Sequence, residues 1–112
     1  MIIIVKNKDT LLIDDFIFKC SIGKKGFCKK KVEGDLTTPK GTFNLGNIYY
    51  RSDRVQKPSS KLKSISIKKN MGWCDDPNSK FYNKLIKIKK NLKISYEKLY
   101  RKDHKYDFFV LI

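Results

Sequence analysis

The chain has 112 residues, of which 40% are hydrophobic, 12% aromatic and 33% charged, which suits one folded domain and leaves no length for a second core of useful size. No apolar run approaches the roughly 18 to 20 residues that cross a bilayer, so a soluble chain with a small core is expected. A formal net charge of +15, from 26 Lys and Arg against 11 Asp and Glu, favours polyanions such as nucleic acid, acidic lipids or acidic wall polymers.

In chain order, the apolar runs are short, rich in Ile, Val, Phe and Tyr, and broken by Gly, Asn, Asp or Pro, a pattern of strands rather than helices. Ile2 to Lys6, Thr10 to Ile13 and Phe16 to Ser21, separated by Asn7-Lys8-Asp9 and Asp14-Asp15, predict a three-stranded meander. Gly23-Lys24-Lys25-Gly26 reverses the chain. Lys29 to Gly41, punctuated by Gly34, Pro39 and Gly41, is too long for a tight hairpin and reads as a loop of the kind that carries binding residues. Thr42 to Tyr50 resumes as a strand, and from Arg51 to Asn70 the pattern weakens, with Pro58-Ser59-Ser60 marking a surface connection.

Gly72 to Asn83 forms a second irregular stretch and holds the only Trp. Lys84 to Lys90 alternates as a half-exposed strand, and Ser95 to Tyr100 predicts a helical turn capped by Ser95 with Glu97 near its positive end. Tyr106 to Ile112 is a near-continuous apolar run of the type found in strands buried on both faces. It stops without the neighbours such a strand needs, so the chain reads as truncated there.

Several residues carry two readings each. Cys20, Cys28 and Cys74 match no redox or zinc-ribbon spacing, so no metal site or cofactor is expected; they read as buried free thiols, with a Cys20 to Cys28 bridge across a hairpin as the alternative. Cys74 and His104 form the only pairing that imitates a thiol dyad, against the simpler reading that Cys74 packs beneath its loop while His104 sits exposed. Glu33 with Asp35, or Asp75 with Asp76, would serve glycoside hydrolysis if held apart across a cleft, but carboxylates in loops more often form turns. Trp73 either stacks on a sugar or packs as a core lid. Lys29-Lys30-Lys31 and Lys87-Lys89-Lys90 are solvated faces or attract an anionic polymer. The Lys-, Ile- and Asn-rich alphabet without Ala also fits an AT-rich genome. Arg51, Arg54 and Arg101 are the only residues able to make planar two-pronged contacts, so sequence-specific reading of bases is disfavoured.

Lys31-Val32-Glu33-Gly34-Asp35-Leu36-Thr37-Thr38-Pro39-Lys40-Gly41-Thr42-Phe43, with Gly72-Trp73-Cys74-Asp75-Asp76-Pro77 and Tyr82-Asn83, resembles the L,D-transpeptidase (YkuD-type) catalytic domain family. The order matches as well: Gly23 to Gly26, the Glu-Gly-Asp loop, Arg51 to Arg54, the Gly-Trp-Cys-Asp-Asp-Pro cluster, then His104 to Asp107. The resemblance implies an all-β, sandwich-like fold and a cysteine acyltransferase of bacterial peptidoglycan, at work in the periplasm or cell wall. In that family a thiolate attacks the carbonyl of a donor stem's third residue, expels the terminal D-alanine, and passes the acyl group to an amine on a neighbouring stem. A lowered thiol pKa and donors around the oxyanion are the physical requirements.

The family's Ser/Thr-x-Gly-Cys nucleophile motif does not occur in these 112 residues: Cys20 follows Lys19, Cys28 follows Phe27 and Cys74 follows Trp73. No catalytic residue is therefore assigned, and the resemblance implies substrate-facing roles for Glu33, Asp35, Thr38, Gly41, Trp73 and Asp75. The expected partners are peptidoglycan stem peptides, with the nucleophile-bearing part as a further piece of polypeptide. A non-catalytic wall-binding module and a small basic nucleic-acid-binding β domain are the alternatives. The opening Met1 to Val5 is too short for a signal-peptide core, so no export signal is visible.

Overall fold

The structure, a computed structural model, describes residues 1–29 and 32–112; Lys30 and Lys31, part of the first lysine cluster, lie outside the described residues. Among the described residues there are eleven strands and no helix, so the chain is all-β. It divides into two compact units, Met1–Thr42 and Phe43–Ile112.

Unit 1 opens with the meander the sequence predicts. β1 (Ile3–Lys6), β2 (Thr10–Ile13) and β3 (Phe16–Lys19) pair antiparallel in the order β1-β2-β3. Asn7 and Asp14, with φ of 59° and 51°, turn the chain between them. Asn and Asp tolerate this left-handed region because their short side chains bond locally. The register places Ile3, Ile13 and Phe16 on one face with Val5, Leu11 and Phe18. The rest of unit 1 holds only β4 (Phe27–Cys28) and β5 (Thr38–Pro39), a two-residue parallel ladder inside the stretch read as loop. No disulfide joins Cys20, Cys28 and Cys74, and of the three only Cys74 is buried, Cys20 and Cys28 being half-buried in a unit without a packed core.

Unit 2 contains two three-stranded sheets. One runs β11-β6-β7, from β6 (Ile48–Tyr50), β7 (Ser64–Ser66) and β11 (Phe108–Val110). The other runs β10-β8-β9, from β8 (Met71–Cys74), β9 (Leu85–Lys87) and β10 (Tyr96–Lys98). They share one core: Tyr49, Ile67 and Leu99 are buried, with Met71, Trp73, Leu85, Tyr106 and Phe109 packed around them. Phe109 is the hinge of this packing, meeting the Trp73 ring edge-on at 5.4 Å and the Tyr106 ring at 5.5 Å.

Four expectations change. The predicted helical turn over Ser95 to Tyr100 is strand β10, because Glu97 pairs with Trp73 and Ser95 turns its hydroxyl to Asp75 instead of capping. The strand expected over Thr42 to Tyr50 begins only at Ile48, with 42–45 exposed and irregular. Gly72 to Cys74, read as irregular, lie in β8, where Gly72 lets Ile88 and Tyr96 pack close. The final apolar run is not buried on both faces: β11 is an edge strand, with Phe108 at 52% and Val110 at 38% exposure.

Candidate functional site

Two loops carry the candidate residues, one in each unit. In unit 1, Gly23 and Gly26 close the predicted reversal: the Gly26 N–H donates to the Gly23 carbonyl at 2.9 Å, and Gly26 sits at φ 82°. The segment 36–40 is zipped to this turn. Lys25 N–H donates to the Leu36 carbonyl at 2.9 Å, Thr38 N–H to Gly26 at 2.8 Å and Lys40 N–H to Cys28 at 2.8 Å. The Thr38 hydroxyl accepts from the Gly23 N–H at 2.7 Å. A Cβ on Gly23 would overlap the Leu36 carbonyl and the Thr37 backbone, so only glycine allows this approach.

Asp35 organises the same loop. Its Oδ1 accepts from the Thr37 N–H at 2.9 Å and the Thr37 hydroxyl at 2.7 Å, and its Oδ2 from the Val32 N–H at 2.8 Å. These bonds hold Leu36 at φ 62°, left-handed backbone that a branched apolar side chain rarely occupies. Its side chain is 51% exposed, so the strain is not offset by full burial. Strained backbone kept by surrounding bonds is a feature of binding loops. Glu33 is exposed beside this loop, and Gly41 sits at an exposed bend beyond it.

In unit 2, β8 leads into the loop 75–84. Trp73 is half-buried, with its ring against Phe109 and its indole N–H donating to Asn83 Oδ1 at 3.1 Å, so it is anchored at both ends. Asp75 is half-buried and accepts from the Ser95 hydroxyl at 2.6 Å; Asp76 accepts from the Asn78 N–H at 3.0 Å and forms the turn. Asp76 thus acts locally, while Asp75 ties the loop to the start of β10. Cys74 is fully buried. The His104 side chain is 82% exposed, with Nδ1 2.7 Å from Asp107 Oδ2.

A third feature, also in unit 2, is a corner knitted by arginine. Arg51, 3% exposed, makes a two-pronged bond to Asp53 at 2.8 Å for each contact, donates to the Arg101 carbonyl at 2.5 Å and lies 3.6 Å over the Tyr100 ring. Arg54 donates to the carbonyls of Arg101, Lys102 and Asp103 at 2.8, 2.8 and 2.6 Å and to Asp107 Oδ1 at 3.0 Å. Arg101 closes on Asp103 at 2.6 Å. The Arg51 guanidinium holds the Asp53 carboxyl well below the usual range, Arg101 brings Asp103 down to about 2, and His104 with Arg54 lowers Asp107. Burial pushes the Tyr106 hydroxyl upward, reinforced by Glu97.

From sequence these arginines are the residues able to make planar two-pronged contacts; the structure spends those contacts within the chain. The partners of Arg51 and Arg54 across the 101–107 segment lie about fifty residues away, which no spacing reveals. The missed signal was the alternation Arg-x-Asp at both 51–53 and 101–103, an ion pair repeated at the same offset.

The structure places Glu33, Asp35, Thr38 and Gly41 on or beside the unit 1 loop, and Trp73 and Asp75 at the head of the unit 2 loop. Against known proteins, no curated protein and no solved structure gives a match. The family model described as the L,D-transpeptidase catalytic domain, YkuD, matches residues 1–110. That span takes in both loops, the arginine corner and every strand, and on it the chain belongs to the L,D-transpeptidase (YkuD) catalytic domain family.

Proposed function

We propose that this chain serves peptidoglycan cross-linking or remodelling on the periplasmic or wall side of the cell, holding stem peptides for acyl transfer through a Cys thioester. The carrying observation is the family match over residues 1–110, joined to a loop whose Asp35 and Gly23 are committed to one backbone shape. Glu33, Asp35, Thr38, Gly41, Trp73 and Asp75 are the proposed contributors to the substrate-facing surface. Asp35 and Thr38 act by shaping the loop, and Trp73 by fixing the floor of the second loop against Phe109.

The attacking thiolate, on this proposal, comes from polypeptide other than these residues. Cys74 is 0% exposed and follows Trp73 rather than the small residues that open an oxyanion pocket. In the reaction the thiolate forms a thioester at the third stem residue and releases D-alanine as its free amine; an acceptor amine then takes the acyl group and frees the thiolate. The burial of Cys74 also favours a second reading, a wall-binding module without turnover.

The test uses the purified 112-residue chain with tetrapeptide stems and isolated sacculi. Binding without D-alanine release, and no carbapenem adduct by mass spectrometry on Cys20, Cys28 or Cys74, is the expected result. Turnover or an adduct would overturn the assignment of the thiolate elsewhere. Failure to bind either stems or sacculi would overturn the substrate class.

A further inference from the structure

We propose that one end of the β8–β9–β10 sheet docks a base-free phosphodiester polyanion, of the polyol-phosphate kind. Two turns distant in sequence meet there. The Lys68 carbonyl accepts from the Met71 N–H at 3.1 Å, closing one turn; the Ile88 N–H donates to the Asn70 carbonyl at 2.7 Å, binding it to the second; and Met71 pairs with Lys87. The second turn is closed between Leu92 N–H and the Lys89 carbonyl at 3.3 Å, with Asn91 at φ 66°.

This brings together Lys68, Lys69, Lys87, Lys89, Lys90 and Lys93, all exposed. Among the described residues none of them forms an ion pair. The reason is local. The sequence carries no Asp or Glu from Arg54 to Cys74 or from Pro77 to Tyr96. The carboxylates of unit 2 are engaged elsewhere: Asp53, Asp103 and Asp107 by arginine, Glu97 by Lys105, Asp75 by Ser95, and Asp76 by its own turn. Ammonium groups gathered without counter-charge repel one another, and an anionic chain that binds them relieves this repulsion and sheds cations held along its own phosphates.

The chemistry of the patch narrows the occupant. Its cations are all lysine, point charges that suit spaced phosphates, and no arginine fork is present for a base edge. No exposed aromatic ring lies in either turn to stack on a base. At the same end a depression of about 240 Å³ is lined by Met71, Leu85 and Ile86 with Asn70 and Lys87, leaving room beside the charges for the short uncharged links between phosphates. The choice of a polyol phosphate over nucleic acid also rests on the cell-wall reading above.

The experiment measures binding of soluble poly(glycerol phosphate) by calorimetry over a salt series. The native chain is compared with a variant combining Lys68→Gln, Lys69→Gln, Lys87→Gln, Lys89→Gln, Lys90→Gln and Lys93→Gln. An equal-charge control carries Gln at Lys6, Lys8, Lys57, Lys61, Lys63 and Lys80. Native binding should weaken by at least about tenfold between roughly 0.05 and 0.2 M salt, and the patch variant should lose about tenfold or more where the control loses less than about threefold. Equal losses in the two variants, or no native binding, would overturn the proposal, as would tighter binding of oligothymidylate at matched phosphate number. Stem-peptide binding is measured on the same samples. It should be unchanged in the patch variant, and its absence in the native chain would sink the cell-wall reading while leaving polyanion binding to stand or fall on its own.

Discussion

Ile48, Tyr49, Ile67, Cys74 and Leu99, the buried apolar residues, all belong to unit 2, whereas in unit 1 Phe16 and Ile17 keep 66% and 74% of their surface exposed. The two units hold their shapes by different means. Unit 2 has a packed core and guanidinium groups that tie distant backbone together. Unit 1 has a meander of paired backbone and a loop set by a few short bonds around Gly23 and Asp35. A substitution in unit 2 therefore acts through volume and buried polarity, while one in the unit 1 loop acts through backbone geometry.

The largest effect that would sharpen this contrast is expected for Leu99→Ala. Its side chain is fully buried, so the cavity should cost about 3 kcal/mol, read as a lower midpoint in urea by Trp73 fluorescence. A midpoint shift near zero would mean that the unit 2 core is not what fixes its fold.

Acid should loosen the arginine corner next. The Asp53, Asp103 and Asp107 carboxyls are lowered in the fold, Asp103 to about 2, so their contribution is complete above the unfolded value near 3.8 and is lost as pH falls from there toward about 2. The thermal midpoint should hold from pH 7 to about 5 and fall through that acid window. A midpoint that stays level down to pH 2 would separate these ion pairs from stability.

In unit 1 the expected effects are smaller and local. Gly23→Ala forces a Cβ into the Leu36 carbonyl and should cost about 2 kcal/mol, seen as faster hydrogen exchange at Thr38 with unit 2 amides unchanged. Exchange that rises first in unit 2 would break the comparison. The smallest effect has the opposite sign: Leu36→Asn places a residue tolerant of φ 62° and should gain up to about 1 kcal/mol. If stem-peptide binding weakens in that variant while stability rises, the Leu36 side chain is part of the binding surface.

The meander was legible because its alternation and its Asn and Asp turns point to the same answer. β7 and β8 were not: Ser64-Ile65-Ser66 is too short and polar to announce a strand, and Gly72 beside Trp73 has the composition of a loop. The Ser95 to Tyr100 segment carried a credible helix-capping pattern, and pairing with Trp73 across the sheet overruled it. At the site, Gly34, Asp35 and Pro39 marked a loop from sequence, while the bonds that give Asp35 its role depend on where Thr37 and Val32 fall in three dimensions. The arginine corner was the least readable, since its contacts join residues about fifty positions apart.

Arg54 reaches three consecutive carbonyls and a carboxylate with one rigid, flat group. A lysine there would keep the charge but could not span those acceptors at once, so Arg54→Lys is not a conservative change. All three arginines of a chain otherwise rich in lysine, Arg51, Arg54 and Arg101, stand in this one corner, where a flat, forked cation meets acceptors that a point charge could not bridge together.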